Sequence, residues 1–289
     1  MKKIKKQNNL ELYILMRNKA TQITILTLFA MLFLSSCGVV PVSGRRQLSL
    51  VPENQIIAES SLQYSKFVSQ MPHSNDKQAT DRVLRVCNNI ANAADHYLRT
   101  HNATKLAQQM KWEVNLIADR RLNAFCMPGG KIVVYTGILP LCKTDAELAT
   151  VISHEVSHAI ARHSSERLSQ EILRQIGGQA VGLAFSKENA VVRSVIQQAY
   201  GLGSQVAVTL PYSRKHEQEA DIIGLTFMAL AGYDPAEAVT FWEKMSKASE
   251  GQRPPEFLST HPSEESRIKA IQKALPEAQA LYQAQKKKQ

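Results

Sequence analysis

Cysteine is scarce in this chain: four among 289 residues, none with C-x-x-C spacing. That excludes a disulfide scaffold and a cysteine-ligated metal. Beyond Cys37, the odd trio Cys87, Cys126 and Cys142 cannot all pair within one chain and reads as small buried thiols. Aromatic residues make up 6% of the chain, and no basic stripe is interleaved with them, so nucleic-acid binding finds no support. The formal charge of +10 is partly an N-terminal effect. Residues 1–36 carry six basic side chains and one acid, and without them the charge is +5. Lys286-Lys287-Lys288 reads as a solvated end, within a basic tail spanning 276–289. Long apolar runs are missing too. The run Ile23–Leu34 is shorter than the roughly 20 residues needed to span a bilayer. There is no internal repeat.

What that short run does match is the core of a signal peptide, with basic residues before it and Leu34-Ser35-Ser36-Cys37 after it. The tetrapeptide resembles the bacterial lipobox. The resemblance implies that 1–36 are removed, that Cys37 carries lipid, and that the protein meets a membrane through that anchor. Gly38, rather than an acid, follows the Cys and by the same resemblance favours an outer-membrane lipoprotein facing the periplasm. Residues 37–52, with Pro41, Gly44 and Pro52, read as a tether.

The rest is long enough for one substantial domain, 53–275. Helical periodicity covers Glu53–Gln70 and Asp76–His101. Trp112, Val114 and Leu116 then alternate with polar residues at the period of a half-buried strand. Asn123–Met127 and Ile132–Tyr135 flank Pro128-Gly129-Gly130, a hairpin signal. Thr144-x-x-Glu147 is a capping box opening a helix expected to run through Leu168. Apolar segments near 169–185 and 189–203 follow, then helices from Ser213 to Ala231, after Asp234-Pro235, and after Ser263.

The capped helix carries His154-Glu155-Val156-Ser157-His158. Residues four apart on a helix differ by roughly 40°, so both imidazoles share one face and can hold two corners of a tetrahedral Zn²⁺ site. Glu155 stands beside the open position, where it can take a proton from water. A third ligand is needed. Glu217 and Asp221 also share a helix face, so one can ligate and the other can accept a hydrogen bond from a ligand imidazole. Glu219 lies about 200° round from Glu217 and points elsewhere. By the same geometry His163, nine residues from His154 on a continuous helix, faces away, and His216 is rotated about 100° from Glu217. His73, His96 and His101 read as surface residues.

These motifs, in this order, resemble the HtpX/BepA-like gluzincin metallopeptidase family, which also holds the CAAX prenyl endopeptidases. They are HEVSH, Ser213-Arg214-x-x-Glu217-x-x-x-Asp221 and Thr260-His261-Pro262, together with Asn123-Ala124-Phe125, Gly129-Gly130 and Thr136-Gly137. The resemblance spans about 53–275 and departs from the family in lacking a multi-span membrane domain and a helical-repeat tail. It implies an α+β, mainly α fold, a small sheet and hairpin packed on a helical bundle. It implies one Zn²⁺ held by His154, His158 and Glu217, with Asp221 behind a ligand and His261 able to approach the metal and shut the site. The expected activity is endopeptidase cleavage with Glu155 as general base. A substrate strand would lie along the edge at Asn123, Ala124 and Phe125. Unfolded or misassembled envelope proteins are the expected substrates. The competing reading is an outer-membrane chaperone or assembly factor with a latent or structural zinc site. Glu155 speaks against it, because a structural site needs no base.

Overall fold

A computed structural model describes residues 37–176, 213–248, Phe257, His261 and 265–287. Residues 1–36, expected to form a leader, the apolar segments beyond Ile176 and the neighbours of His261 in Thr260-His261-Pro262 lie outside the described residues.

Elements follow the expected signals closely. Helix α1 spans Glu53–Gln70 and α2 spans Lys77–Thr100, whose N-cap Asp76 accepts a hydrogen bond from the Ala79 amide at 2.9 Å. A short α3, Thr104–Gln109, leads into strand β3, Glu113–Ile117. Strands β4, Ala124–Met127, and β5, Lys131–Tyr135, form the hairpin. Its turn places Gly129 and Gly130 at φ +86° and +84°, and a Cβ on Gly130 would collide with the Trp112 ring at 2.8 Å. The sheet order is β3-β5-β4, with β3 parallel and β4 antiparallel to β5, so β4 is an edge strand.

This small sheet is buried on both faces, as the strand alternation requires. Ala124, Cys126, Ile132 and Val134 join the main core with α2 and the central helix α4, Asp145–Ile160. Phe125, Met127, Val133 and Tyr135 pack on Ile56 and Tyr64 of α1 and on Leu168 and Ile172 of α5, His163–Ile176. Helices α6, Arg214–Leu230, α7, Glu237–Ala248, and α8, Glu265–Lys286, complete the bundle. Among the described residues the protein is mainly helical, and no helix is long and apolar enough to cross a membrane.

Three differences from the expectations concern the site. The capped helix does not run through Leu168. Arg162 adopts φ 55°, a left-handed conformation that ends α4 and turns the chain into α5. Residues 37–52 carry two short antiparallel strands, β1 (Cys37–Val39) and β2 (Arg46–Leu48), with Val40 fully buried in the main core. This segment is held to α5 by the Leu50 amide donating to Ser169 at 2.9 Å. And α8 continues through Pro276 to Lys286 across most of the expected tail, burying Ala278.

Candidate metal centre

The Thr144–Glu147 capping box forms in both directions, with bonds of 3.1 Å each way, and starts α4 where the pentapeptide needs it. Every residue of α4 from Glu147 to Ile160 is buried, so its histidines point into protein rather than water. Helix α6 crosses α4 closely. Gly224 lets Ser153 approach, since a Cβ there would sit 3.1 Å from the Ser153 hydroxyl. The crossing brings Glu217 and Asp221 against His154 and His158.

Four ligand atoms converge, from His154, His158, Glu217 and His261, all within 4.8 Å of one another. The His154 and His158 Nε2 atoms are 3.0 Å apart, and His154 Nε2 is 3.2 Å from His261 Nδ1. Glu217 Oε1 lies 3.1 Å from His261 Nδ1 and 3.4 Å from His158 Nε2, while its Oε2 is 3.4 Å from His154 Nε2. A tetrahedral zinc with bonds of about 2.0–2.1 Å requires edges of about 3.3 Å between its ligands. The four residues therefore fit zinc in both donor type and spacing.

Proton bookkeeping gives a second argument for a cation. His154 Nδ1 lies 2.9 Å from Asp221 Oδ1, which can only accept, so Nδ1 carries the hydrogen and Nε2 the lone pair. His158 Nδ1 is engaged at 2.9 Å by His163 Nδ1. With its hydrogen there, its Nε2 also turns a lone pair inward. Two lone pairs 3.0 Å apart in a dry site repel, and a cation between them removes the conflict.

Behind Asp221 stands Arg267, a residue that motif reasoning missed. Its Nε and Nη2 donate to the two Asp221 oxygens at 2.8 and 2.7 Å, and its Nη1 pairs with Glu217 Oε2 at 2.9 Å. The guanidinium lies 3.9 Å over the Trp242 ring, and both side chains are buried. Burial resists the ionised forms, but His261 and then Arg267 outweigh it at Glu217, and Arg267 outweighs it at Asp221, so both carboxyls sit below their ordinary range.

Glu155 is 2% exposed, and its Oε1 has no hydrogen-bond partner. Burial raises its carboxyl to about 7, with the Glu217 charge adding and His261 and the Cys126 backbone amide opposing. His261 Nε2 lies 3.4 Å from that bare oxygen. The His261 imidazole stacks on Phe257 at 4.8 Å and is itself buried. Asn123, Ala124 and Phe125 are also buried, at 5% exposure or less. The β4 edge they begin is therefore covered in this conformation, although it reaches Glu155 through Cys126.

A model of Peptidase family M48 matches residues 87–275. The chain belongs to peptidase family M48. It is thereby a zinc-dependent metallopeptidase, in agreement with the donor set. Relatives similar to this chain are named as metalloendopeptidases or proteases. The chain is 35% identical over 250 residues to "Mitochondrial metalloendopeptidase OMA1" of Schizosaccharomyces pombe, covering 83% of this chain and 67% of that protein. It is 34% identical over 185 residues to the Saccharomyces cerevisiae protein of that name, covering 62% and 51%. It is 31% identical over 159 residues to "Beta-barrel assembly-enhancing protease" of Escherichia coli, covering 53% and 32%. The chain thus spans between about a third and two thirds of these relatives' lengths.

The M48 match includes His163, His216 and Glu219 as well as the motif residues. His163 does not face away from the centre, as it would on a continuous helix. The turn at Arg162 swings it back against His158. Glu219 does point away from Glu217, and it meets His163 Nε2 at 2.9 Å. His216 is buried, stacks on His163 at 4.4 Å and bonds Glu166 at 3.1 Å, outside the four-residue cluster. His73, His96 and His101 are exposed, and Cys87, Cys126 and Cys142 are buried free thiols.

Proposed function

We propose that this protein is a zinc endopeptidase of the cell envelope, with His154, His158 and Glu217 as the resident ligands and Glu155 as general base. The observation that carries the reading is the bare, buried Glu155 oxygen beside four donor atoms at tetrahedral spacing. Zinc would supply Lewis acidity there, acidifying a water and polarising the scissile carbonyl. Glu155, raised to about 7, is matched to taking a proton from the attacking water and returning it to the leaving amine. Asp221 holds the His154 tautomer, and Arg267 holds Asp221.

His261 gives the site a closed state. Its Nδ1 would serve as a fourth donor to the ion, and its Nε2 lies 3.4 Å from the Glu155 oxygen, where water must enter. Opening requires His261 to swing clear, after which its ring can offer an N–H to the developing oxyanion. An extended substrate chain then adds to the β4 edge at Asn123–Phe125, its amides running past Glu155 largely irrespective of sequence. That mode suits unfolded or misassembled envelope proteins. The name of the Escherichia coli relative, a β-barrel assembly-enhancing protease, supports that substrate class. The lipobox-like Leu34–Cys37 supports attachment to the outer membrane through Cys37, facing the periplasm.

In Glu155→Gln we expect stoichiometric zinc and no cleavage of unfolded casein. Cleavage at the wild-type rate would remove Glu155 as the base. Radiolabelled palmitate should enter the wild type and not Cys37→Ser; equal labelling would remove the anchor assignment.

A further inference from the structure

The two histidines of the pentapeptide both need their Nδ1 hydrogens held, and His154 has a carboxylate to do it directly. His158 Nδ1 instead meets His163 Nδ1 at 2.9 Å. His163 Nε2 meets Glu219 Oε2 at 2.9 Å, and the same carboxylate accepts from Arg45 Nε at 2.7 Å and from the Ser43 hydroxyl. The directions of these bonds are determined by chemistry. An ionised carboxylate only accepts, so His163 carries its hydrogen on Nε2 and presents a lone pair on Nδ1. That lone pair accepts the Nδ1–H of His158, leaving His158 Nε2 bare toward Glu217 and His154. His163 is fully buried.

We propose that His163 is a positioning residue for the metal, linking His158 to Glu219 in a relay whose far end is fixed by Arg45 of the N-terminal segment. The inference rests on His158 being a zinc ligand. In the relay, the Glu219 charge polarises the His163 ring, and that ring draws on the His158 Nδ1–H, making His158 Nε2 a stronger donor to the ion. Packing holds the His163 ring in place. His216 stacks on its face at 4.4 Å, and Arg45 ties the His216 partner, Glu166, to the same assembly at 2.6 Å. Arg45 lies in the β1–β2 connection, so the relay reaches from the segment next to Cys37 to the centre.

Zinc affinity of the purified full chain, read by competition with a chromophoric chelator, tests this without an activity assay. His163→Leu should weaken zinc binding by about 10–100-fold, the range for loss of a hydrogen-bond partner behind a ligand. His163→Asn places an acceptor oxygen where Nδ1 stands and should recover to within about threefold of wild type, which a merely space-filling role would not produce. Glu219→Gln keeps shape but loses charge, and should fall between them. A folded His163→Leu within twofold of wild type overturns the proposal, as does a His163→Asn no better than His163→Leu. If His163→Leu does not fold, wild-type affinity in Glu219→Gln overturns it instead. His158→Ala separates the two levels. Undiminished zinc in that variant overturns the ligand assignment itself, whereas loss of zinc there with wild-type affinity in the His163 variants overturns the relay alone.

Discussion

His154 and His158 stand one turn apart on α4, yet they are supported from opposite ends of the chain and in different styles. Behind His154 the support is short and dry: Asp221 at 2.9 Å, then the buried Arg267 of α8. Behind His158 it is longer and reaches the surface, through His163 and Glu219 to Arg45, whose side chain is 30% exposed. Each branch ends in a carboxylate neutralised by an arginine. The difference is dielectric. A buried arginine cannot be replaced by solvent, whereas a part-exposed one shares its work with water. The His154 branch should therefore matter more to folding, and the His158 branch more to fine control of the metal.

Substitution of the two arginines tests that ranking most strongly. Arg267→Met leaves Asp221 and Glu217 buried without their cation and should cost about 3–5 kcal/mol of stability in metal-free protein, read by urea unfolding. A cost below about 1 kcal/mol would break the comparison, since that is the range of an exposed pair. Arg45→Ala should cost only about 1 kcal/mol. A loss as large as that of Arg267→Met would show the N-terminal segment to be as critical as α8.

A smaller effect lies in the pH dependence. Glu166 and Glu219 are held at about 2, burial opposing and His216, His163 and Arg45 prevailing. The ordinary glutamate value is about 4.3. Because the folded values are depressed, the stability these groups contribute is present above pH ~4.3 and is lost as pH falls toward about 2. Arg45→Ala should flatten that part of the stability profile, and an unchanged acid slope would remove Arg45 from the network.

Much of the His154 branch was legible in sequence, and much of the His158 branch was not. The capping box, the four-residue spacings and the N-cap signals are local, so α2, α4 and α6 start where side chains near in sequence direct them. Glu217 and Asp221 share a face of one helix, and the family resemblance implies Glu217 as the ligand and Asp221 behind it. His163 was misplaced because the rotation rule assumes one continuous helix, and the left-handed Arg162 breaks that assumption. An Arg-His pair just past the HEVSH motif was the available signal. Arg267 pairs with a carboxylate 46 positions away in sequence on another helix, a relation no periodicity encodes. Pro41, Gly44 and Pro52 suggest a linker and place Arg45 in a tether, but Val40 and Leu50 bury themselves and fold the segment.

The four-donor centre itself is best tested by X-ray absorption at the zinc edge on the isolated protein. The expected result is one ion per chain with only nitrogen and oxygen neighbours at about 2.0–2.1 Å, three imidazoles in the wild type and two in His261→Ala. Sulfur at about 2.3 Å, or a three-imidazole pattern unchanged in His261→Ala, would contradict it.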